Sequence, residues 1–213
     1  MKNSHNHLVA GPWIGEFGWE IFAWHGYVRA LSRKYDKTTV ICNTGAEYFY
    51  SDFANQIINF DLSVGPRDSF FQQGVDTIKL CKEIFLKNKE KLSGNVTLFP
   101  PRRIGYPPMT SHEETVRLGS HTISPEYLQL GSSDESSIKY DYIFHIRERK
   151  NIRPQDNWSI DNWKELRSMF PDNSRVACIG KGEMSSVIPG TDDLRDIGLQ
   201  DLCNIISSSS FKF

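Results

Sequence analysis

The sequence lacks the long apolar stretches that place a chain in or across a membrane. No apolar run approaches the roughly 20 residues that a transmembrane helix needs. The polar start, MKNSHNH, also lacks the apolar core of a secretory signal. These absences predict a cytoplasmic protein without a transmembrane segment.

Neither sign of charge dominates, since 25 Lys and Arg residues stand against 26 Asp and Glu and the formal net charge is -1. A chain with this balance has no general attraction for polyanions, so nucleic acid is not an expected partner. His112 and His121 have no second ligand at a useful spacing, so the sequence predicts neither a metal site nor a cofactor. The cysteines form no Cys-x-x-Cys pair and are predicted to be reduced core residues: Cys42, Cys81, Cys178 and Cys203.

A glycine-punctuated stretch near the start, Leu8 to Tyr27, is the organising feature of the first half. Leu8 to Ala10 is an apolar run suited to a buried strand, and apolar residues recur at helical spacing from Trp19 onward. The loop from Gly15 to Gly18 therefore lies where a strand passes into a helix. Backbone N–H groups and a helix N-terminus face a ligand at such a place, although a tight turn without any ligand fits the same pattern.

The rest of the first half continues the alternation of strand and helix. The predicted elements are a strand at Thr38–Cys42, a helix over residues 46–58, a helix over Thr77–Lys91 and a strand at Val96–Phe99. The aromatic residues of the second helix are predicted to be core rather than a stacking platform: Tyr48, Phe49, Tyr50 and Phe53. Residues 105–139 are predicted to be irregular, with one short helix over residues 113–118, and the first domain is predicted to span residues 1–130.

The second half restarts the same rhythm over residues 138–213. The predicted elements are strands at Tyr140–Ile146 and Arg175–Ile179 and helices at Ile160–Met169 and Leu199–Ser207, with Ser159 as a cap. Thr191 to Asp193 is predicted to be a turn. A further strand begins at Phe211, which predicts that this second domain is incomplete.

Cations follow the strand ends of this second domain. Arg147, Arg149 and Lys150 come directly after the first strand, and Gly180 and Lys181 follow the next one. An arginine fork leaving a rigid strand can bind two oxygens of a diphosphate, and it stabilises the negative charge that grows when a nucleoside diphosphate leaves. A charged surface loop without a ligand remains the alternative.

Three short motifs resemble fucosyltransferases, and they occur in that family's order. Gly15-Glu16-Phe17-Gly18-Trp19-Glu20-Ile21-Phe22 is similar to the family's opening loop and helix. His145-Ile146-Arg147 resembles its His-x-Arg-Arg donor motif, and the segment from Asp201 to Phe211 resembles its later Asp-Leu...Cys...Ser-Ser-Phe segment. The rhythm from Asn157 to Gly180 also resembles the donor half of heptosyltransferase-like enzymes.

The resemblance implies an α/β fold with two Rossmann-like domains of the GT-B type. It implies an inverting glycosyltransferase that needs no metal and moves a sugar from a nucleotide-sugar donor, such as one like GDP-fucose, to a saccharide or glycan acceptor. Arg147 would contact the donor diphosphate and His145 would shape that pocket. Ser209 and Ser210 would lie near the phosphates. The residues expected to line a cleft are Gly15, Phe17, Gly18 and Trp19.

A general base must remove the acceptor proton in such a transfer, and a carboxylate is the usual choice. Glu20 and Glu16 are the acids of the organising loop, so they are the candidates, although Glu20 could simply favour the helix dipole. Two other classes of function stay open: a nucleotide-binding or phosphate-binding α/β protein without transferase activity, and a module that binds a protein partner.

Overall fold

The computed structural model describes residues 6–14, 17–61, 77–92, 95–99, 116–118, 121–128, 139–150, 154–209 and 211–212. The chain divides into two compact units, Met1–Leu128 (unit 1) and Gln129–Phe213 (unit 2). Within the described ranges, no helix combines the length and the apolar character that crossing a bilayer requires.

Unit 1 contains a four-stranded, fully parallel sheet in the order β3-β2-β1-β4. Its strands are β1 (Asn6–Ala10), β2 (Lys37–Asn43), β3 (Gln56–Phe60) and β4 (Asn95–Phe99). The connection after β1 contains α1 (Phe17–Trp19), a π-helical segment (Glu20–His25) and α2 (Gly26–Ser32). α3 (Thr77–Asn88) precedes β4, and a short antiparallel hairpin pairs β5 (Val116–Leu118) with β6 (His121–Ile123).

The central strands β1 and β2 are buried on both faces. Val9, Ile41 and Ile58, on three different strands, form one buried cluster that packs against Ile84 and Phe85 of α3. Because side chains alternate along a strand, the neighbours of Val9 point to the opposite face, and they are buried as well. Near-continuous burial of this kind is typical of a parallel sheet covered on both sides.

Two helix predictions in unit 1 are wrong. The region predicted as one helix over residues 46–58 forms a 3₁₀ turn at Glu47–Phe49 and the edge strand β3. Residues 116–118 of the second predicted helix form strand β5, while residues 113–115 lie outside the described residues. The core prediction is confirmed for Phe49 and Tyr50, which are 5% and 0% exposed.

Unit 2 contains a second four-stranded parallel sheet, in the order β10-β7-β8-β9. Its strands are β7 (Tyr142–Phe144), β8 (Val176–Gly180), β9 (Asp192–Arg195) and β10 (Phe211–Lys212). Its helices are α4 (Ile160–Ser168), between β7 and β8, and α5 (Leu199–Ser208), between β9 and β10. The predicted cap is confirmed, because Ser159 Oγ accepts a hydrogen bond from Asn162 N at 3.2 Å.

The two helices of unit 2 cover opposite faces of its sheet. Phe144 of β7 packs with Trp163 of α4 on one face. Ile143, the preceding residue of the same strand, packs with Ile205 of α5 on the other face. Helices on both faces of a parallel sheet confirm the predicted α/β class.

The prediction of a turn over Thr191 to Asp193 is wrong, because β9 begins at Asp192. Strand propensity alone does not favour Asp192-Asp193-Leu194-Arg195 as a strand. This strand forms at the edge of the sheet, where Asp193 and Arg195 pair with each other through side chains that are half exposed and 25% exposed. Charged residues are tolerated at a sheet edge because one side of the strand remains in water.

Candidate functional site

The structure requires glycine at some positions of the organising stretch and not at others. Gly11, directly after β1, has a φ of +100°, and a Cβ placed there would lie 2.2 Å from the carbonyl oxygen of Ile41. Only glycine fits such a position. Gly18 has nothing within 4 Å of the corresponding position, so packing does not require a glycine there. Gly15 and Glu16 lie outside the described residues.

The aromatic residues predicted to line a cleft are described only in part. Phe17 is half-buried, and its ring lies 5.9 Å from the ring of Phe49 in a tilted arrangement. This contact makes Phe17 part of the packing between α1 and the 3₁₀ turn after β2. Trp19 ends α1, and its side chain is outside the described part of the structure.

Glu20 is fully buried at the first position of the π-helical segment. Its Oε1 accepts a hydrogen bond from Tyr50 Oη at 2.9 Å. A general base must lie within hydrogen-bonding reach of the proton that it removes. With 0% of its surface exposed, Glu20 in this structure holds Tyr50 instead, so the geometry does not favour its predicted role as the base.

A buried polar cluster lies at the other end of the π-helical segment. Arg29, 4% exposed, donates from Nη2 to Asp52 Oδ1 at 2.9 Å and to the Phe49 carbonyl at 3.1 Å, and a second donation from Nη1 reaches Asp52 Oδ2. Its Nη2 also lies 3.3 Å from Nε2 of His25. Because a guanidinium has no acceptor, His25 Nε2 must accept and its ring proton must be on Nδ1.

The surroundings of His25 keep its ring neutral. The pKa of His25 is lowered from 6.5 to about 4, mainly by burial and next by the Arg29 guanidinium, while the Ile21 carbonyl and the Asp52 carboxylate act in the opposite direction. His25 is 2% exposed. A protonated imidazole here would face a guanidinium without water, so the cluster is built for the neutral form.

The predicted donor residues of unit 2 meet at the carboxyl edge of its sheet. His145 and Arg147 follow β7, and Gly180 ends β8. Gly180 has a φ of +131°, and a Cβ there would lie 2.6 Å from Ser185 Oγ and 3.0 Å from Cδ2 of His145. A larger residue would therefore push the His145 ring or the Ser185 side chain away.

Two backbone hydrogen bonds join the segment after β7 to the loop after β8. Glu148 N donates to the Met184 carbonyl at 2.7 Å, and Ser186 N donates to the Ile146 carbonyl at 2.9 Å. Together they form an antiparallel bridge between Arg147 and Ser185. Arg147 is therefore held on a fixed backbone at this edge.

Two side chains at the end of β9 also hold the loop after β8. Arg195 donates from Nη1 to the Ser185 carbonyl at 2.8 Å and to the Gly182 carbonyl at 3.4 Å. Asp196 accepts from Gly182 N at 3.1 Å and forms an ion pair with Lys181 at 3.2 Å. Lys181 thus belongs to the predicted site, and its charge is partly balanced by an exposed carboxylate.

The remaining cations differ in their surroundings. Arg149 forms an ion pair with Asp156 at 3.0 Å. Its backbone is held by Asn157, which accepts from Arg149 N at 2.8 Å and donates to its carbonyl at 2.9 Å. Lys150, the next residue, is exposed.

The structure does not bring Ser209 to this group. Ser209 lies between α5 and β10, and β10 runs parallel to β7 with Phe211 opposite Tyr142. Ser209 is therefore at the amino edge of the sheet, opposite to His145. Its buried hydroxyl donates to the Ile205 carbonyl at 2.6 Å. Ser210 lies outside the described residues.

The sequence reading missed Asp196 and the partners of His25. Asp196 could be placed only once Asp192–Arg195 was recognised as a strand, and its composition argued against that. The spacing of four residues between His25 and Arg29 was a usable signal, because such residues share a helix face. Asp52 carried no signal, since it comes from a region predicted to be helical.

Among the described residues, no group of three or more His, Cys, Asp or Glu side chains could hold a metal ion. All four cysteines are free thiols.

Comparison with known proteins gives little support for any one family. No family model matches the chain, and no curated protein matches it. Among solved structures, the chain is similar to the heptosyltransferase TibC, described as a dodecameric, iron-containing enzyme in complex with ADP-D-β-D-heptose. The TM-score is 0.47 and the identity 14%, over 100% of this chain and 53% of the other. The chain thus spans about half the length of a glycosyltransferase to which its likeness is too weak to assign a family or an activity.

Proposed function

We propose that the chain is a nucleotide-sugar-dependent glycosyltransferase, built on two Rossmann-like units, whose unit 2 binds the donor diphosphate. The observation that carries this proposal is the position of His145 and Arg147 directly after β7, at the carboxyl edge of the sheet. The chain runs from β7 to β8 and β9 on one side and returns to β10 on the other. Ligands of open α/β sheets bind outside the carboxyl ends of the strands where the order reverses, and these two residues follow β7 at that point.

The charges at this edge suit a diphosphate. Arg147 provides a guanidinium on a backbone fixed by the bridge to Ser185, and Lys181 and Lys150 lie in the segments that follow the two strands. A guanidinium fork fits two phosphate oxygens, and a fixed fork requires little reorganisation when they bind. As the sugar–phosphate bond breaks, negative charge grows on the leaving diphosphate, so Arg147 would stabilise the transition state more than the ground state.

The resemblance of the short motifs to fucosyltransferases adds the class of reaction. We propose inverting transfer without a metal, from a nucleoside diphosphate sugar such as a GDP-fucose-like donor to a saccharide acceptor. Glu16 remains the candidate base of the organising loop. Glu20, buried against Tyr50, is proposed to hold the π-helical segment in place.

The donor site is tested by calorimetric titration with GDP, UDP, ADP and pyrophosphate. Arg147→Ala is expected to weaken binding of the best nucleotide and of pyrophosphate about 10-fold to 100-fold, as for loss of a charge-assisted hydrogen bond. Arg175→Ala removes the same charge next to the amino end of β8 and is expected to change neither affinity by more than about 2-fold. Equal losses in both variants, or no saturable binding of any diphosphate to the wild type, would contradict the proposal.

A nucleotide-binding protein without transferase activity is the second candidate. The complete burial of Glu20 favours it, because the acid that the structure describes in the organising stretch does not reach solvent. Release of free nucleoside diphosphate from GDP-, UDP- or ADP-linked sugars, measured with a mixture of saccharide acceptors, separates the two. Arg147-dependent binding without any turnover would support the second candidate.

A further inference from the structure

One large aromatic side chain of unit 2 is presented to solvent. Trp158 is 48% exposed, whereas Phe144 and Trp163 belong to the core around α4. The ring of Trp158 contacts that of Trp163 edge to face at 5.0 Å, and Trp163 lies 5.3 Å from Phe144. The exposed indole is therefore fixed against the core through one aromatic contact and leaves much of its surface open.

The backbone on both sides of Trp158 is also fixed. Asn157 forms two hydrogen bonds with the backbone of Arg149, and Arg149 pairs with Asp156. On the other side, Ser159 caps α4. A ligand that stacks on Trp158 meets a ring whose orientation is already determined, so little side-chain entropy is lost on binding.

Hydrogen bonds connect the backbone next to Trp158 to the carboxyl edge of the sheet. Its neighbour Asn157 holds Arg149, which lies two residues after Arg147, a distance of at most about 7 Å along an extended chain. Arg147 in turn pairs with Ser185. The residue that precedes Trp158 and the Arg147 segment are thus connected through hydrogen bonds at this edge.

The chemistry of this surface combines cations with an open aromatic face. Lys150 and Lys181 are exposed on the segments after β7 and β8, and Ile160, 37% exposed, follows Trp158 by two residues. A ligand that matches both features carries negative charge on one part and a flat apolar ring on another. A nucleoside diphosphate has this combination, and base–aromatic stacking tolerates any base.

We infer that Trp158 is the stacking platform for the base of the nucleoside diphosphate whose phosphates lie at the Arg147 edge. The inference rests on the proposed function and adds the part of the site that recognises the nucleoside. The diphosphate binds through the cations, and the base lies on the indole.

The test is calorimetric titration of the full chain with ADP, GDP, UDP, their nucleosides and pyrophosphate. Trp158→Ala is expected to weaken the best nucleotide about 5-fold to 150-fold, the range for loss of one base–aromatic stack. Pyrophosphate has no base, so its affinity should remain unchanged. Trp158→Phe keeps a ring and should retain most of the affinity. Met169→Ala, which removes an exposed side chain, 68% open, at the other end of α4, is the matched control and should have no effect.

The outcomes separate this inference from the proposed function. If pyrophosphate binds through Arg147 and Trp158→Ala leaves nucleotide affinity unchanged, the platform is refuted and the diphosphate site stands. Equal weakening of nucleotide and pyrophosphate by Trp158→Ala would also refute the platform, since the loss would be structural. If nucleosides bind through Trp158 while no diphosphate depends on Arg147, the platform stands and the donor site fails. No binding of any probe overturns both.

Discussion

Units 1 and 2 share a strand order but place their polar side chains in opposite environments. In each sheet the first strand lies between the second and the fourth, and the third is at the far edge. Unit 1 encloses its ionisable groups after the first strand, with His25 and Arg29 below 5% exposure. Unit 2 leaves His145 and Lys181 exposed after its own strands. The same scaffold thus supports a closed polar network in one unit and an open, cation-bearing edge in the other.

The connection after the first strand explains this difference. In unit 1 the chain enters the π-helical segment, whose first and last residues, Glu20 and His25, point into the core. In unit 2 the described residues after β7, 145–150 and 154–159, contain a 3₁₀ turn at Pro154–Asp156, and the backbones of Ile146 and Glu148 bond to the loop after β8. We therefore expect polar substitutions to change stability in unit 1 and affinity in unit 2.

The largest effect is expected for Asp52→Ala in unit 1. This change removes the carboxylate that accepts two hydrogen bonds from Arg29, whose side chain is 5% exposed. We expect the free energy of unfolding to fall by about 3 kcal/mol, the lower end for a broken buried pair, because Asp52 itself is 44% exposed. Urea unfolding followed by circular dichroism measures it.

Asp61→Ala is the matched control for that experiment, since Asp61 is an exposed acid of the same unit, and it should change stability by less than about 0.5 kcal/mol. Adding Arg29→Met to Asp52→Ala removes the uncompensated charge and should recover part of the loss. A loss as small as that of the control would show that the cluster of unit 1 is not a closed network.

A smaller effect is expected from protonation of His25. Its pKa is about 4 in the folded chain and 6.5 as the ordinary value, so between these values the unfolded chain binds more protons. Stability from this group is complete above pH 6.5 and is lost as the pH falls toward 4. The loss at pH 5 is expected to be about 2 kcal/mol relative to pH 7.

Unfolding at pH 7, 6 and 5 should show a weaker pH dependence for His25→Gln, because the amide oxygen can still accept from Arg29 and no ring titrates. His145→Gln alters an exposed histidine of unit 2 and should retain the wild-type slope. A wild-type pH dependence for His25→Gln together with a weaker one for His145→Gln would contradict the contrast between the two units.

The smallest effect on stability, below about 1 kcal/mol, is expected for Asp196→Asn in unit 2. Asparagine can keep the hydrogen bond from Gly182 N and tolerates the φ of 60° found at this position. The change removes the negative charge beside Lys181, so pyrophosphate should bind a few-fold more tightly. Calorimetry checks the affinity and urea unfolding the stability. Unchanged or weaker binding would count against a cationic role for this edge.

Sequence patterns predicted the central strands and the edge strands β4 and β10, but missed the edge strands β3 and β9. Central strands such as β1 and β8 are apolar runs buried on both faces, so their composition identifies them. The edge strands β3 and β9 are half exposed and mix polar with apolar residues. Tertiary pairing forms β9 against local preference. β3 was missed because its first half was assigned to the helix predicted over residues 46–58.

For some residues of the candidate site the sequence predicted the position, and for others it did not. His145, Arg147, Gly180 and Lys181 were predictable because they follow recognisable strands, and the carboxyl ends of parallel strands share one edge. The burial of Glu20 was not, because it depends on Tyr50, which lies 30 residues away. Ser209 was assigned through a short motif. It lies at the amino edge of the sheet because it comes before β10, and β10 runs parallel to β7.

The bridge between Arg147 and Ser185 bears on how quickly a ligand associates with unit 2. The loop after β8 is already held by the Ile146 carbonyl, by Arg195 and by Asp196. A ligand that arrives at this edge therefore meets a backbone that does not have to fold over it. Association at such a surface is limited by encounter and orientation, and differences in affinity between ligands are expressed in their residence times.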